Sequence, residues 1–384
     1  MHAPTLPRPA PAALEASRAL IERIRREIRD HGGWISFARY MELALYAPGL
    51  GYYAGGSIKL GGAGDFITAP ESGSLFARLL ARQVAELLRP GDSLLEFGAG
   101  SGALAADMSS ELARLGHAPQ YFILEPSAEL AARQRARLAQ YAPRVSWLTE
   151  MPARFRGVML ANEVVDAMPA HLVAWTADVI LERGVGAQPG DGGFDWIDRP
   201  ASGPLLAAAR AIAPELPPAG RYESEINLAA PAWMGTLAAS LDRGALLIID
   251  YGFPAREYYH AQRSMGTLMC HYRHQAHGEP FFQPGLQDIT AHVDFSALAH
   301  AAADGGLEVL GYTNQAQFLV NCGLVELLGE VDSTQVARYA PLAAEAQRLV
   351  SPAEMGELFK VLAVGRGTEA QLRGFSSGDR THTL

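Results

Sequence analysis

The sequence is short of cysteine, short of charge and free of long apolar stretches. Two cysteines, Cys270 and Cys322, are too few for a disulfide framework or a four-cysteine zinc site. They read as plain buried thiols in a reducing compartment. Charged residues make up only 19% of the chain against 49% hydrophobic, which excludes global disorder and supports a sizeable core. Acidic residues outnumber basic ones, 41 to 32, for a formal net charge of −9. That balance argues against a general nucleic-acid binder, because phosphate contacts need a basic face. No apolar run approaches the roughly 20 residues of a membrane helix, so no membrane insertion is expected. The opening MHAPTLPRPAPAAL has prolines where a secretory signal needs an apolar core. Glu15, Glu22 and Glu27 sit where a transit peptide avoids acids, so a cytoplasmic protein is expected. No internal repeat is visible.

What is present is an alternation of strand and helix patterns. Residues 13–30 carry Leu14, Leu20, Ile21, Ile24 and Ile28 at helical spacing, ending at Gly32-Gly33, and a short helix follows over 36–45. A glycine-rich span, 47–72, still carries Tyr52, Tyr53, Phe66 and Ile67, as functional loops do. From residue 75, strands are expected at 93–97, 121–125, 144–148, 157–162, 244–252, 307–312 and 359–364, mostly separated by helices. This is the pattern of an α/β fold with a parallel, Rossmann-like sheet. The segments HLVAW, DVILERGV and GFDWID, within 171–200, read as antiparallel strands of an insertion. The expected organisation is a helical segment with its glycine loop at 1–74 and a main domain at 75–366. That domain carries α+β insertions at about 171–235, 254–292 and 314–357, and a flexible polar tail follows at 367–384.

The stretch LLEFGAGSGA at 94–103 is a strand, a glycine turn and a helix start. Backbone N–H groups at such a turn point at a ligand, and Gly98, Gly100 and Ala103 also satisfy the dinucleotide pattern. Glu125, at the end of the next strand, is placed to accept both hydroxyls of a ribose. A nucleoside-bearing cofactor fits either version of the turn. Glu96 discriminates, because a carboxylate there is of little use beside a pyrophosphate and useful beside the cationic amino-acid portion of S-adenosylmethionine (SAM). The pattern E-x-G-x-G-x-G, with its third glycine at Gly102, is the methyltransferase version. The plainer reading of Glu96 is a carboxylate capping amides of the turn.

The segment ANEVVDAMPAH at 161–171 follows the fourth strand, whose carboxyl end borders the cofactor crevice of a doubly wound sheet. Asn162, Glu163 and Asp166 are therefore candidates for the place where an acceptor meets the methyl donor; the alternative is an ordinary helix N-cap. In HVDF, Asp294 is a candidate N-cap, and His292 is either a site base or a packed histidine. His271, His274 and His277 recur every third residue but lack a carboxylate or cysteine pattern for a metal site, so no metal is expected. Tyr251 and Arg273 are further pocket candidates.

The motifs GDFITAPE (64–71), LLEFGAGSG, ANEVVDAMP, IIDYG (248–252) and HVDF (292–295), in that order, resemble the MidA-like SAM-dependent methyltransferases over roughly residues 15–365. The resemblance implies a seven-stranded class I methyltransferase sheet with a helical N-terminal segment and insertions. It implies SAM as cofactor, held by Glu96, Gly98, Gly100, Gly102, Glu125 and Asn162. It also brings the GDFITAPE loop near the cofactor as a lid, adding Asp65 and Thr68; the alternative for this loop is a capping turn. Mitochondrial members of the family assist assembly of respiratory complex I and methylate an arginine of one subunit. A protein substrate, with arginine as the best acceptor, follows from the resemblance. If the acceptor is a guanidinium, carboxylates must grip it and take up a proton. Glu163 and Asp166, with His292, are the catalytic candidates, and Glu223 and Glu225 are further ones. Competing readings are a nicotinamide-dependent oxidoreductase, a non-catalytic assembly factor and a small-molecule acceptor. The insertions offer surface for a homodimer.

Overall fold

Two aliphatic runs, 158–160 and 245–249, are at most 1% exposed along their whole length. Strands covered on both faces lose the polar–apolar alternation, and these two lie at the centre of the main sheet. The computed structural model describes residues 6–55, 69–190, 192–213, 216, 220–368 and 371–384. The described chain divides into two units. One draws on Ile67–Val165, Ala232–Pro254 and Val293–Leu384, the other on Met1–Phe66, Asp166–Pro231 and Ala255–His292.

The first of these is the sheet unit. Its strands run in the order Glu308–Asn314, Phe359–Arg366, Leu241–Phe253, Phe155–Asn162, Ser93–Phe97, Gln120–Leu124, Val145–Leu148. The last five are mutually parallel, and Phe359–Arg366 is antiparallel to both of its neighbours. An eighth strand, Val293–Asp294, adds two residues beside Gly252 and Phe253. The order reverses at Ser93–Phe97, which has Gln120–Leu124 on one side and Phe155–Asn162 on the other. In sheets of this type ligands bind beyond the carboxyl ends at such a reversal.

The sheet is drawn tight at its amino end by glycine. Gly157 and Gly244 have φ of 130° and 128°. A Cβ on Gly157 would stand 1.9 Å from the Ser93 carbonyl oxygen, and one on Gly244 1.8 Å from that of Gly157. Gly157→Ala is expected to destabilise the protein by roughly 2 to 4 kcal/mol through overlap and strain. A melting temperature within a degree of wild type would refute this.

The helix Leu75–Leu87 starts without a side-chain cap from Ser74. Its cap comes from far along the chain, because Glu345 of the helix Val336–Val350 accepts the Leu75 N–H at 2.7 Å. Gly73 permits the approach, since a Cβ there would meet the Glu345 carboxylate at 2.1 Å. The tail after Gly367 was expected to be flexible, and the described part, 371–384, corrects this. Leu372 and Phe375 are buried, Gly374 packs on the Phe318 ring, and Asp379 accepts the Tyr312 N–H at 3.0 Å. The two apolar side chains in an otherwise polar stretch anchor it.

In the other unit, the helices Pro11–Asp30 and Phe37–Tyr46 share a core with the two insertions rather than standing as a segment of their own. Leu20, Ile24, Phe37, Tyr40 and Met41 are buried with Leu172, Val185, Phe194, Cys270 and Ile289. The antiparallel strands are His171–Trp175, Ile180–Ala187, Phe194–Pro200 and Tyr222–Ile226, with the two-residue Ile35–Ser36 on Ile180–Ala187. A smaller sheet joins Gln275–His277, Met269–Tyr272 and Asp288–Thr290. The helices of 314–357, expected as an insertion, belong to the sheet unit. Both cysteines are buried thiols. Among the described residues no helix is long and apolar enough to cross a membrane.

Candidate active site

The carboxyl ends of four adjacent strands of the sheet unit carry its polar groups. After Ser93–Phe97, the turn places Gly98, Gly100 and Gly102 at φ of 58°, 53° and 81°. This left-handed region is where residues with a Cβ are disfavoured, so conformation calls for glycine here. The Gly98 N–H donates to the Leu124 carbonyl at 3.0 Å, tying the turn to the neighbouring strand. Helix Ala103–Arg114 begins at the turn, so its first amides and its dipole face the same space.

Glu96 lies inside the strand, 3% exposed, and accepts the Tyr121 hydroxyl at 2.7 Å. Burial pushes its carboxyl up to about 7; the Tyr121 hydrogen bond opposes this, and the charge of Glu125 adds to it. Glu125 follows the strand Gln120–Leu124. One of its oxygens accepts the Ser127 N–H at 3.0 Å and the other the Gln134 amide at 2.9 Å. Burial raises its carboxyl too, against both of these hydrogen bonds.

At the end of Phe155–Asn162, the Asn162 amide donates to Glu163 Oε1 at 3.1 Å, while its own Oδ1 is buried and has no hydrogen-bond partner among the described residues. Glu163 has φ of 53°. A left-handed glutamate is strained, and its conformation is held by neighbours. Its N–H donates to the Ile249 carbonyl at 2.9 Å, and Asp250, fully buried, accepts the Val165 N–H at 3.0 Å. Strain kept up in this way is typical of functional positions. Glu71, from the end of GDFITAPE, accepts the hydroxyl of Ser101 in the glycine turn, and Arg137 donates to the same hydroxyl. Asp65 and Thr68 lie outside the described residues.

The chain passes into the other unit between Val165 and Asp166. There Asp166 is buried, and its carbonyl accepts the Ala291 N–H at 3.0 Å, which brings the 291–292 segment beside it. The His292 N–H donates to Thr267 Oγ1 at 3.0 Å. Asp294, in the sheet unit, caps the helix Phe295–Asp304 through the Ala297 N–H. Glu225 is not available to a substrate. It is 2% exposed, and its carboxylate collects the Thr267 N–H and hydroxyl, the Leu268 N–H and the Tyr258 hydroxyl. Glu223 is held in ion pairs by Arg183 and Arg221, both at 2.5 Å. His271 and His277 are on paired strands and His274 is in the turn between them, at φ of 61°. Among the described residues no three His, Cys, Asp or Glu side chains gather as a metal site. Tyr251 packs edge-on to Phe359, while Arg273 lies over Tyr272 at the hairpin tip.

The sequence reading missed Asp250 and Gln134. An acid directly after the five-residue aliphatic strand run 245–249 was a signal for the first, because such a side chain is buried and needs donors. Gln134 sits in the charged stretch ARQRAR and gave none.

A sheet that reverses at a strand ending in a glycine turn, with carboxylates at the turn and at the next strand end, defines a class I, Rossmann-like nucleoside-cofactor enzyme. The family model described as "Putative S-adenosyl-L-methionine-dependent methyltransferase" matches residues 75–313, and the chain belongs to that family. The MidA-like resemblance is thereby upheld, and the protein is a SAM-dependent methyltransferase. It is similar to the mitochondrial protein arginine methyltransferase NDUFAF7 of Danio rerio, 30% identical over 86% of this chain and 83% of the relative. It is also similar to the NDUFAF7 homolog of Drosophila melanogaster, 29% identical over 92% of this chain and 86% of the relative. A superfamily member from Burkholderia thailandensis, crystallised with S-adenosyl-homocysteine, matches with a TM-score of 0.94 at 50% identity, covering 99% of this chain and 100% of that one.

These relatives overturn the cytoplasmic expectation, since the curated ones are named as mitochondrial proteins. The inference failed because Glu15, Glu22 and Glu27 lie on the helix Pro11–Asp30, packed through Leu20 and Ile24, so their charge reports on a folded helix and not on a targeting segment.

Proposed function

We propose that the protein transfers the methyl group of SAM to a guanidinium nitrogen of an arginine in a protein substrate. The observation that carries this reading is Glu163, a carboxylate held in a strained left-handed conformation after Phe155–Asn162, the strand beside the switch point, with one oxygen fixed by Asn162. The names of the relatives, protein arginine methyltransferases, support the same acceptor. The cofactor reading passes a test of fit, because a turn of three left-handed glycines presents amides with no side chain in the way, flanked by two carboxylates. Gly98, Gly100 and Gly102 would lie along the cofactor. Glu125 would take its ribose hydroxyls, and Glu96 would face the ammonium group of its methionine part. When bound, SAM supplies a methyl group on a positively charged sulfur, so transfer forms an N–CH3 bond, breaks the S–CH3 bond and leaves a neutral thioether.

A guanidinium keeps its proton to above pH 12, so the protein must orient one nitrogen and accept a proton late in the transfer. A fixed carboxylate does the first through paired N–H···O bonds and the second by ordinary acid–base chemistry. We assign both roles to Glu163. Asp166 and His292 are proposed as further participants on the strength of their chemistry, as Asn162 is beside Glu163. The test is to incubate the protein with labelled SAM and extract, and to map the label by mass spectrometry. Label on arginine is the expected outcome. Label confined to lysine, to nucleic acid or to a small molecule would overturn the acceptor assignment.

A further inference from the structure

Gln134, on the helix Ala128–Arg137, is fully buried and makes three hydrogen bonds. Its Nε2 donates to the Gly100 carbonyl at 2.9 Å and to Glu125 Oε2 at 2.9 Å, and its Oε1 accepts the Trp147 indole N–H at 2.8 Å. The amide has only one orientation in this setting. Turned over, its oxygen would face a carbonyl and a carboxylate, and its N–H groups would face the indole N–H. Trp147 is itself steadied by Arg135, whose guanidinium lies over the ring at 5.0 Å.

The consequence falls on Glu125. A carboxylate oxygen has about two lone-pair directions. The Ser127 N–H takes one on Oε1 and the Gln134 N–H takes one on Oε2. The two hydrogen bonds fix the plane of the carboxylate and leave one acceptor direction on each oxygen, which suits a pair of neighbouring hydroxyls. The same amide binds the carbonyl of Gly100, so the turn and the carboxylate move as one piece.

We propose that Gln134 is a positioning residue that presets Glu125 to accept both hydroxyls of a ribose, making the pocket select ribonucleosides over deoxyribonucleosides. The inference rests on the reading of Glu125 as the ribose acceptor.

The test measures binding of S-adenosylhomocysteine and of its 2′-deoxy analogue by calorimetry. Wild type is expected to prefer the ribose form by about tenfold or more, as befits a hydrogen bond to a charged acceptor. Gln134→Leu and Gln134→Glu are expected to bring that preference to within about twofold, mostly by weakening the ribose ligand. Trp147→Phe, which removes only the N–H that orients the amide, is expected to reduce the preference in part. It carries the test alone should the Gln134 variants not fold. A role limited to packing would weaken both ligands alike and leave the ratio standing, and that result overturns the proposal. Glu125→Gln separates the two layers. A preference that survives Glu125→Gln sinks the ribose-acceptor reading itself. One that is lost there but kept in the Gln134 and Trp147 variants sinks only the role of Gln134.

Discussion

Glu163→Gln is expected to lower kcat by about 10²- to 10³-fold while S-adenosylhomocysteine binds within about threefold of wild type. Glutamine keeps the size of the side chain and its hydrogen bond from Asn162, 3.1 Å in the wild type. It removes the charge proposed to grip a guanidinium and the base proposed to accept its proton. Cofactor affinity is expected to persist because the glycine turn, Glu96 and Glu125 stand on other strands. Turnover within tenfold of wild type would remove Glu163 from catalysis. Glu163→Gly supplies the complementary measurement. At φ of 53° a glutamate is strained by about 1 kcal/mol or more and a glycine is not. The glycine variant should lose transfer without losing thermal stability. A packing role for the side chain would instead show as a lower melting temperature.

The second large effect is a pH dependence of cofactor binding set by Glu96. Its carboxyl, raised to about 7 by burial, is mostly neutral at pH 6 and mostly charged at pH 8. A cationic ammonium favours the charged form, so affinity for S-adenosylhomocysteine should be about tenfold weaker at pH 6 than at pH 8. Glu96→Gln should bind weakly and without this slope. The same shift has the opposite sign for stability without ligand. A folded carboxyl with a raised pKa contributes stability that is fully present below about pH 4.5 and is lost as pH rises through about 7. The swing is about 3 kcal/mol at most. Denaturant midpoints that fall between pH 5 and 8 in wild type, and less so in Glu96→Gln, are the expected result. A flat binding profile in wild type would mean that Glu96 does not face the ammonium group.

Much of the sheet was legible because its strands are aliphatic runs closed by punctuation. SLLEF ends in the glycine turn, and the run ALLIID ends in an acid. Local signals of that kind survive without knowledge of partners. Asp294 was legible as a cap for the same reason, since its acceptor role is met three residues on by Ala297. What stayed hidden depends on partners distant in sequence. Glu225 stood with Glu223 as a further catalytic candidate, yet its carboxylate is taken up by Thr267, 42 residues away. Gln134 reads as one more polar helix residue until Gly100, Glu125 and Trp147 surround it. The tail looked disordered by composition, and two apolar side chains that find pockets reverse that reading.

Each unit is assembled from three separate stretches of chain, which bears on how the protein is made. The N-terminal helix keeps Ser17 bonded to Pro284, a partner 267 positions later, and the middle of the main sheet pairs with its last strand, Phe359–Arg366. High contact order of this kind slows folding and exposes apolar surface meanwhile. A ribosome reading from the amino end therefore holds the one body unfinished until the stretch ending at His292 has emerged, and the sheet unit until Phe359–Arg366 has. Helpers that shield nascent chains should matter more to this enzyme than to one whose domains follow one another like beads.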